Sequence, residues 1–193
     1  MSLVVARRWA KFSVDRRFRY ALGREFEAVQ GDLLNGWDVV AGRDTVLFVM
    51  LNPSLASQRN DDPTLRRCMS LAHSWGFRRL AVVNLFGFVT PEPRELRLAQ
   101  DPIGPRNDAI IRQRARSADS VIVAWGNHGV WKDRAGVVLA MLRRARTPLF
   151  HLGLTQDGHP RHPLYLPADT QPIAFPLVHQ RPLTRQLREA RVQ

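Results

Sequence analysis

The chain has little cysteine, little lysine and no long apolar run, and each shortage excludes a class of protein. One cysteine, Cys68, stands among 193 residues. A single thiol closes no internal disulfide, which fits a reducing cytoplasm. Cys68 also falls in an apolar helical pattern with Leu65 and Ala72, so it reads as a core residue rather than a nucleophile. No apolar stretch approaches the roughly 20 residues of a membrane-spanning helix, and no membrane association is expected. The opening MSLVVARRWAKF is apolar over too few residues for a secretory signal, so a cytoplasmic protein is expected. Lysine is confined to Lys11 and Lys132, which leaves 27 of the 29 basic residues as arginine.

Acid is scarce as well. Seventeen Asp+Glu face 29 Lys+Arg, for a net charge of +12. A field of that sign attracts polyanions, nucleic acid first among them. A GC-rich genome explains arginine over lysine better than it explains base over acid.

What is present fits one globular domain over residues 1–193. Hydrophobic residues make up 45% and charged residues 24%, enough to build and dissolve a core of ordinary size. Residues 1–43 form a basic, aromatic lead-in that includes Arg16, Arg17, Phe18, Arg19, Tyr20, Arg24 and Phe26. Helix and edge strand are both open there. Residues 44–167 carry the regular pattern, and 168–193 form a basic tail that ends in a candidate helix.

Within the regular part, four short apolar runs read as buried strands: 45–51 (TVLFVML), 80–86 (LAVVNLF), 120–125 (SVIVAW) and 148–154 (PLFHLGL). Helices are expected over 63–75, 105–118 and 131–145. For the first, Asp62 suits the N-cap, Pro63 the first turn and Gly76 the end. A proline-rich connection with Pro91, Pro93, Pro102 and Pro105 separates the second strand from the second helix. Strands alternating with helices imply parallel pairing through right-handed crossovers. The fold class expected is therefore α/β, a three-layer α/β/α sandwich around a four-stranded parallel sheet.

Ligands of such sheets bind beyond the carboxyl ends of the strands. Polar clusters follow each strand here. Asn52-Pro53-Ser54 follows the first. Asn84 lies near the end of the second, ahead of Phe86. Asn127 and His128 follow the third, after Gly126. His159, His162, Leu164 and Tyr165 follow the fourth. If the strands are parallel, all four clusters share one edge. Each cluster has a plainer reading: Asn-Pro is a common turn, a buried Asn84 amide needs only a backbone partner, and His128 can cap a loop. His159 and His162 resemble half of a metal site, but no third ligand has suitable spacing, so neither metal nor cofactor is expected. Asp61 and Asp62 read as paired acids or, more simply, as a helix cap.

The motifs FSVDRRFRYAL, MLNPSLA, DDPTLRRC, VVNLFGF, DPIGPRND, AWGNHG and LGLTQDGHPRHPLY resemble an uncharacterised bacterial family known only as a domain of unknown function. The likeness runs from about Phe12 to Pro167. More distantly, the same motifs resemble the uracil-DNA glycosylase superfamily, in which an Asp-Pro or Asn-Pro turn, a strand ending in Asn, a Leu-Trp-Gly-like strand end and a His-Pro-Ser-Pro-Leu loop occur in this order; the last loop here departs from that pattern and reads His-Pro-Arg-His-Pro-Leu. That likeness implies a uracil-DNA glycosylase-like fold. It further implies that Asn52 positions water, Asn84 reads a flipped-out base, and His162, or else His159, stabilises the departing base. Pro53, Ser54, Asn127 and His128 would complete the pocket, Phe86 or Phe88 would supply the stacking ring, and Leu164 or Tyr165 would fill the vacated stack. The partner implied is a nucleic acid, DNA foremost, or a nucleotide. Cleavage of an N-glycosidic bond, non-catalytic nucleic-acid binding, and action on a free nucleotide or nucleoside are the three readings. Asn52 bears on all of them, because an amide cannot act as the general base that an aspartate could.

Overall fold

The computed structural model describes residues 3–27, 44–54 and 56–175. It is an α/β fold built on one mixed sheet of seven strands in the order β1-β2-β4-β3-β5-β6-β7. The strands are β1 (Val5–Phe12), β2 (Arg19–Phe26), β3 (Thr45–Met50), β4 (Arg79–Asn84), β5 (Ser120–Val123), β6 (Leu149–His151) and β7 (Ile173–Ala174). The four runs expected as strands are β3, β4, β5 and β6, and they pair in parallel with one another. The sheet as a whole is not the four-stranded parallel sheet expected. Three antiparallel strands extend it: β1 pairs with β2, β2 with β4, and β7 with β6.

The reason β2 escaped an apolar reading is physical. It is buried almost throughout, yet it carries Arg19 and Arg24 inside. A buried arginine with partners waiting for it looks, in sequence, like a surface residue. β1 is held to β2 by a close pair, Trp9 opposite Gly23. A Cβ on Gly23 would lie 2.1 Å from the Trp9 indole, so only glycine permits this contact.

Alternation along the strands sorts two cores onto the two faces. On one face, Val46, Phe48, Met50, Leu80, Val82 and Ile122 meet helix α1 (Pro63–Ser74) through Leu65, Cys68, Met69, Leu71 and Ala72. On the other, Leu47, Val49, Ala81, Val83, Val121 and Val123 meet α3 (Asn107–Ser117) and α4 (Arg134–Ala145) through Ile110, Ile111, Ala115, Val138 and Leu142. The α/β/α layering is therefore present, with a wider sheet at its centre.

Local chemistry sets the helix ends. Asp62 caps α1 by accepting from the Leu65 N–H at 2.7 Å, Pro63 occupies the first turn, and Gly76 follows at φ 81°. The helix expected from residue 131 begins only at Arg134. Lys132 and Asp133 sit in the left-handed region, at φ 56° and 52°, and close a 3-10 segment, Asn127–Asp133. The proline-rich connection holds a short helix not foreseen, α2 (Pro93–Leu98), whose Leu96 joins the α3–α4 core. The second half of the lead-in and the basic terminal helix expected past residue 182 lie outside the described residues.

Candidate functional site

Beyond the carboxyl ends of the parallel strands lies a cavity of about 280 Å³. The turn after β3 contributes Leu51, Asn52 and Ser54, and the segment after β4 contributes Thr90 and Pro91. The exit of β5 adds Trp125, Gly126 and His128, and the loop after β6 adds His162. Arg19 from β2, Met50 from β3, and Asp62 and Thr64 from the start of α1 complete the wall. No group of three His, Cys, Asp or Glu side chains among the described residues could hold a metal ion.

The Asn52-Pro53 segment is more than a turn. The Asn52 amide donates from Nδ2 to the Thr90 carbonyl at 2.7 Å and to the Pro53 carbonyl at 3.2 Å. Thr90 returns a bond from its N–H to the Pro53 carbonyl at 3.0 Å. This reciprocal pair ties the exits of β3 and β4 together and commits Nδ2. Oδ1 is left as the acceptor that Asn52 offers. Thr90 is itself held, its hydroxyl donating to the Glu95 carboxylate at 2.5 Å.

A second tie joins the other two loops. The Gly126 N–H donates to the Pro160 carbonyl at 2.8 Å, with Gly126 at φ 69°. A Cβ there would meet nothing, so it is the backbone angle that calls for glycine. Trp125 is buried beside this tie, and its Nε1–H has no hydrogen-bond partner.

The electrostatics are uneven. Arg19 is 4% exposed and donates to the Ala56 carbonyl. Burial lowers its pKa to about 10, with Asp62 acting to raise it and Arg24 to lower it. It stays charged at neutral pH. His162 is half-buried, and burial pushes its ring below the ordinary histidine range against the opposing charge of Asp62. Its Nδ1 accepts from the Leu164 N–H at 3.4 Å, so the neutral ring carries its proton on Nε2.

Of the residues singled out in the sequence, Asn52, Ser54, His128 and His162 line this cavity together. The others lie elsewhere. Pro53 is buried behind the wall and acts through its carbonyl. Asn84 is 1% exposed, its Nδ2 has no partner, and it stands in register beside Met50. Phe86 is buried in the opposite core, its ring 5.0 Å from that of Trp131. Asn127 is exposed and donates to Asp157 at 2.8 Å. His159 belongs to the 155–159 turn, its N–H donating to the Thr155 hydroxyl. Leu164 and Tyr165 lie in a 3-10 turn, with Tyr165 86% exposed.

The cavity also holds residues that the sequence reading passed over: Arg19, Asp62, Thr64, Thr90 and Trp125. Asp62, read from sequence as a helix cap or as one of two paired acids, caps α1 and also lines the cavity. Trp125 closes an apolar run and looked like its last core residue. Arg19 stood in a segment without a clear period, although two arginines in an otherwise apolar stretch were the available signal.

A family model described as a protein of unknown function (DUF1643) matches residues 19–164. The chain belongs to that family. All thirteen residues that line the cavity fall within the match. No curated protein and no solved structure matches the chain.

Proposed function

We propose that the cavity recognises a nucleobase, in nucleic acid or in a nucleotide, in a uracil-DNA glycosylase-like arrangement, and that it cleaves the N-glycosidic bond. The observation behind this reading is that Asn52, Ser54, His128 and His162, carried by three separate strand exits, line one cavity in the motif order of that superfamily. A volume of about 280 Å³ has room for a base.

Each residue has a role that its bonding permits. Asn52 presents Oδ1 and orders a water without taking its proton. His162, neutral with its proton on Nε2, donates to the oxygen of the departing base, where negative charge develops. The unpartnered Nδ2 of Asn84 serves a base edge that enters past the flexible Met50 side chain. Trp125 supplies the aromatic surface that Phe86 cannot. Arg16, from the turn between β1 and β2, and Arg59 border a second hollow with Ser57 and Gln58 of the 52–62 loop, and they give a phosphate backbone its contacts.

A second reading is a binding module without turnover. It is favoured by the proton chemistry: Asn52 is no base, and Asp62, the one carboxylate of the wall, already caps α1 through Oδ1.

The deciding experiment is base release from single- and double-stranded oligonucleotides carrying uracil and other altered bases, with Asn52→Ala and His162→Ala alongside. Release by the wild type that is lost in both variants supports the glycosylase. Salt-sensitive binding without release on any substrate transfers the conclusion to the binding module.

A further inference from the structure

Three arginines are buried among the described residues: Arg19, Arg24 and Arg134, at 4%, 0% and 3% exposure. Two of them are paired with carboxylates. Arg24 bonds Asp61 through Nε at 2.8 Å and Nη2 at 2.7 Å, and Arg134 bonds Asp108. Arg19 is the exception. Among the described residues its guanidinium makes one hydrogen bond, to the Ala56 carbonyl, and no carboxylate lies within ion-pair reach. Asp62 shares the cavity wall and influences Arg19 electrostatically, but it does not touch it. Arg19 is also the one of the three that lines the cavity.

A guanidinium out of water without a counter-charge is costly, and a chain that retains one supplies the counter-charge from elsewhere. Arg19 offers a fork of donors, of which only Nη1 is engaged among the described residues. Planar donor pairs of this kind match phosphate oxygens.

We infer that Arg19 is an anion seat, and that the ligand of this cavity carries a phosphate group that pairs with its guanidinium. This rests on the base-recognition reading for the rest of the ligand and narrows it to a nucleotide, either a free monophosphate or one nucleotide of a strand. The neutral and acceptor groups around it, Asn52, Thr64 and His162, then face the base and sugar.

The test compares the four 2′-deoxynucleosides, their 5′-monophosphates, inorganic phosphate and a short single-stranded oligonucleotide, by calorimetric titration of the full chain. The proposal expects at least one monophosphate, or the oligonucleotide, to bind wild type about tenfold or more tightly than the matching nucleoside. That gap should close in Arg19→Met and survive in part in Arg19→Lys. Preference for the monophosphate identifies a free nucleotide as the source, and preference for the oligonucleotide identifies a strand.

Thermal melting adds an independent readout. Arg19→Met should melt close to wild type, because it removes a charge that lacks a carboxylate. Arg24→Met, which leaves Asp61 with Arg8 alone and removes the bonds to the Gly23 and Ser57 carbonyls, should melt well below it. An equal gap in wild type and Arg19→Met overturns the anion seat, as does wild type binding nucleosides as well as monophosphates; in both cases base recognition stands. Arg19-dependent binding of inorganic phosphate, with no nucleoside or nucleotide preferred over it, keeps the seat and removes the base reading. Binding of none of the probes to wild type overturns the proposal without any variant.

Discussion

Asp61→Asn is the most informative stability perturbation, because it removes one charge and almost no volume. Arg24 is fully buried, with its Nη1 on the Gly23 carbonyl at 2.7 Å, its Nη2 on the Ser57 carbonyl, and Asp61 as its counter-charge. Arg8 reaches the other Asp61 oxygen. Breaking a buried pair from one side costs about 3–5 kcal/mol. Asparagine keeps one acceptor oxygen, and the Asp61 side chain is 12% exposed, which argues for the lower end, about 3 kcal/mol at neutral pH. For a chain of this length that corresponds to a fall of roughly 6–12 °C in melting temperature. The pH dependence gives a second check. Burial alone would raise the Asp61 carboxyl, but hydrogen bonds and charge from Arg8 and Arg24 outweigh it and hold its pKa below 3.8. A carboxyl depressed in the folded state stabilises above its unfolded pKa and loses that contribution as pH falls through the folded value. The deficit of Asp61→Asn should therefore shrink as wild type is acidified below 3.8. Melting curves by circular dichroism across pH measure both effects. A melting temperature within about one degree of wild type at neutral pH, or a deficit that stays constant in acid, would refute the reasoning. Arg24→Met combined with Asp61→Leu should recover most of the loss, because it removes both charges.

Other outcomes follow from the same geometry. His162→Ala should lower any base release by about 2–4 kcal/mol of transition-state stabilisation, with a smaller effect on binding, as measured by single-turnover kinetics. Because burial lowers the His162 pKa, its neutral form should persist somewhat below the ordinary histidine midpoint. Its linkage contribution favours folding at higher pH and weakens as pH falls from about 6.5 towards the lowered value, and His162→Gln should flatten that part of a stability–pH profile. Asn84→Ala should weaken base binding while leaving salt-dependent DNA affinity alone; unchanged base binding would reduce Asn84 to a core residue. Cys68 is fully buried with its thiol pKa raised by desolvation, so alkylation by iodoacetamide should track global unfolding, and prompt labelling of native protein would contradict that burial.

The parallel strands and their helices were legible because apolar period and end chemistry agreed. TVLFVM and RLAVVN are nearly continuous apolar runs, and Asp62-Pro63 announces α1 plainly. Convergence of polar loops on one edge followed from parallel pairing, and it brought Asn52, Ser54, His128 and His162 to one place. What sequence patterns missed was set by tertiary partners. Arg19 and Arg24 go inside because the 56–61 segment supplies carbonyls and a carboxylate to receive them. Phe86 follows Asn84 by two residues and looks equally near the edge, yet it packs into the opposite core against Trp131. Between His159 and His162 the spacing was neutral, and the hydrogen bonds of the 155–159 turn withdraw the first of them.

β2 reaches the 52–62 loop at two points, Arg19 on the Ala56 carbonyl and Arg24 on Ser57 and Asp61. Those residues stand before the parallel strands in the chain, and one of them opens the stretch that the family model matches. A shortened protein starting at residue 44 would keep the parallel strands and the four helices of the described residues. It would nonetheless lose the arginine on the cavity wall and both anchors of the loop beside it. For this fold, the smallest unit that holds the parallel strands and the smallest unit that walls the cavity are different lengths of chain.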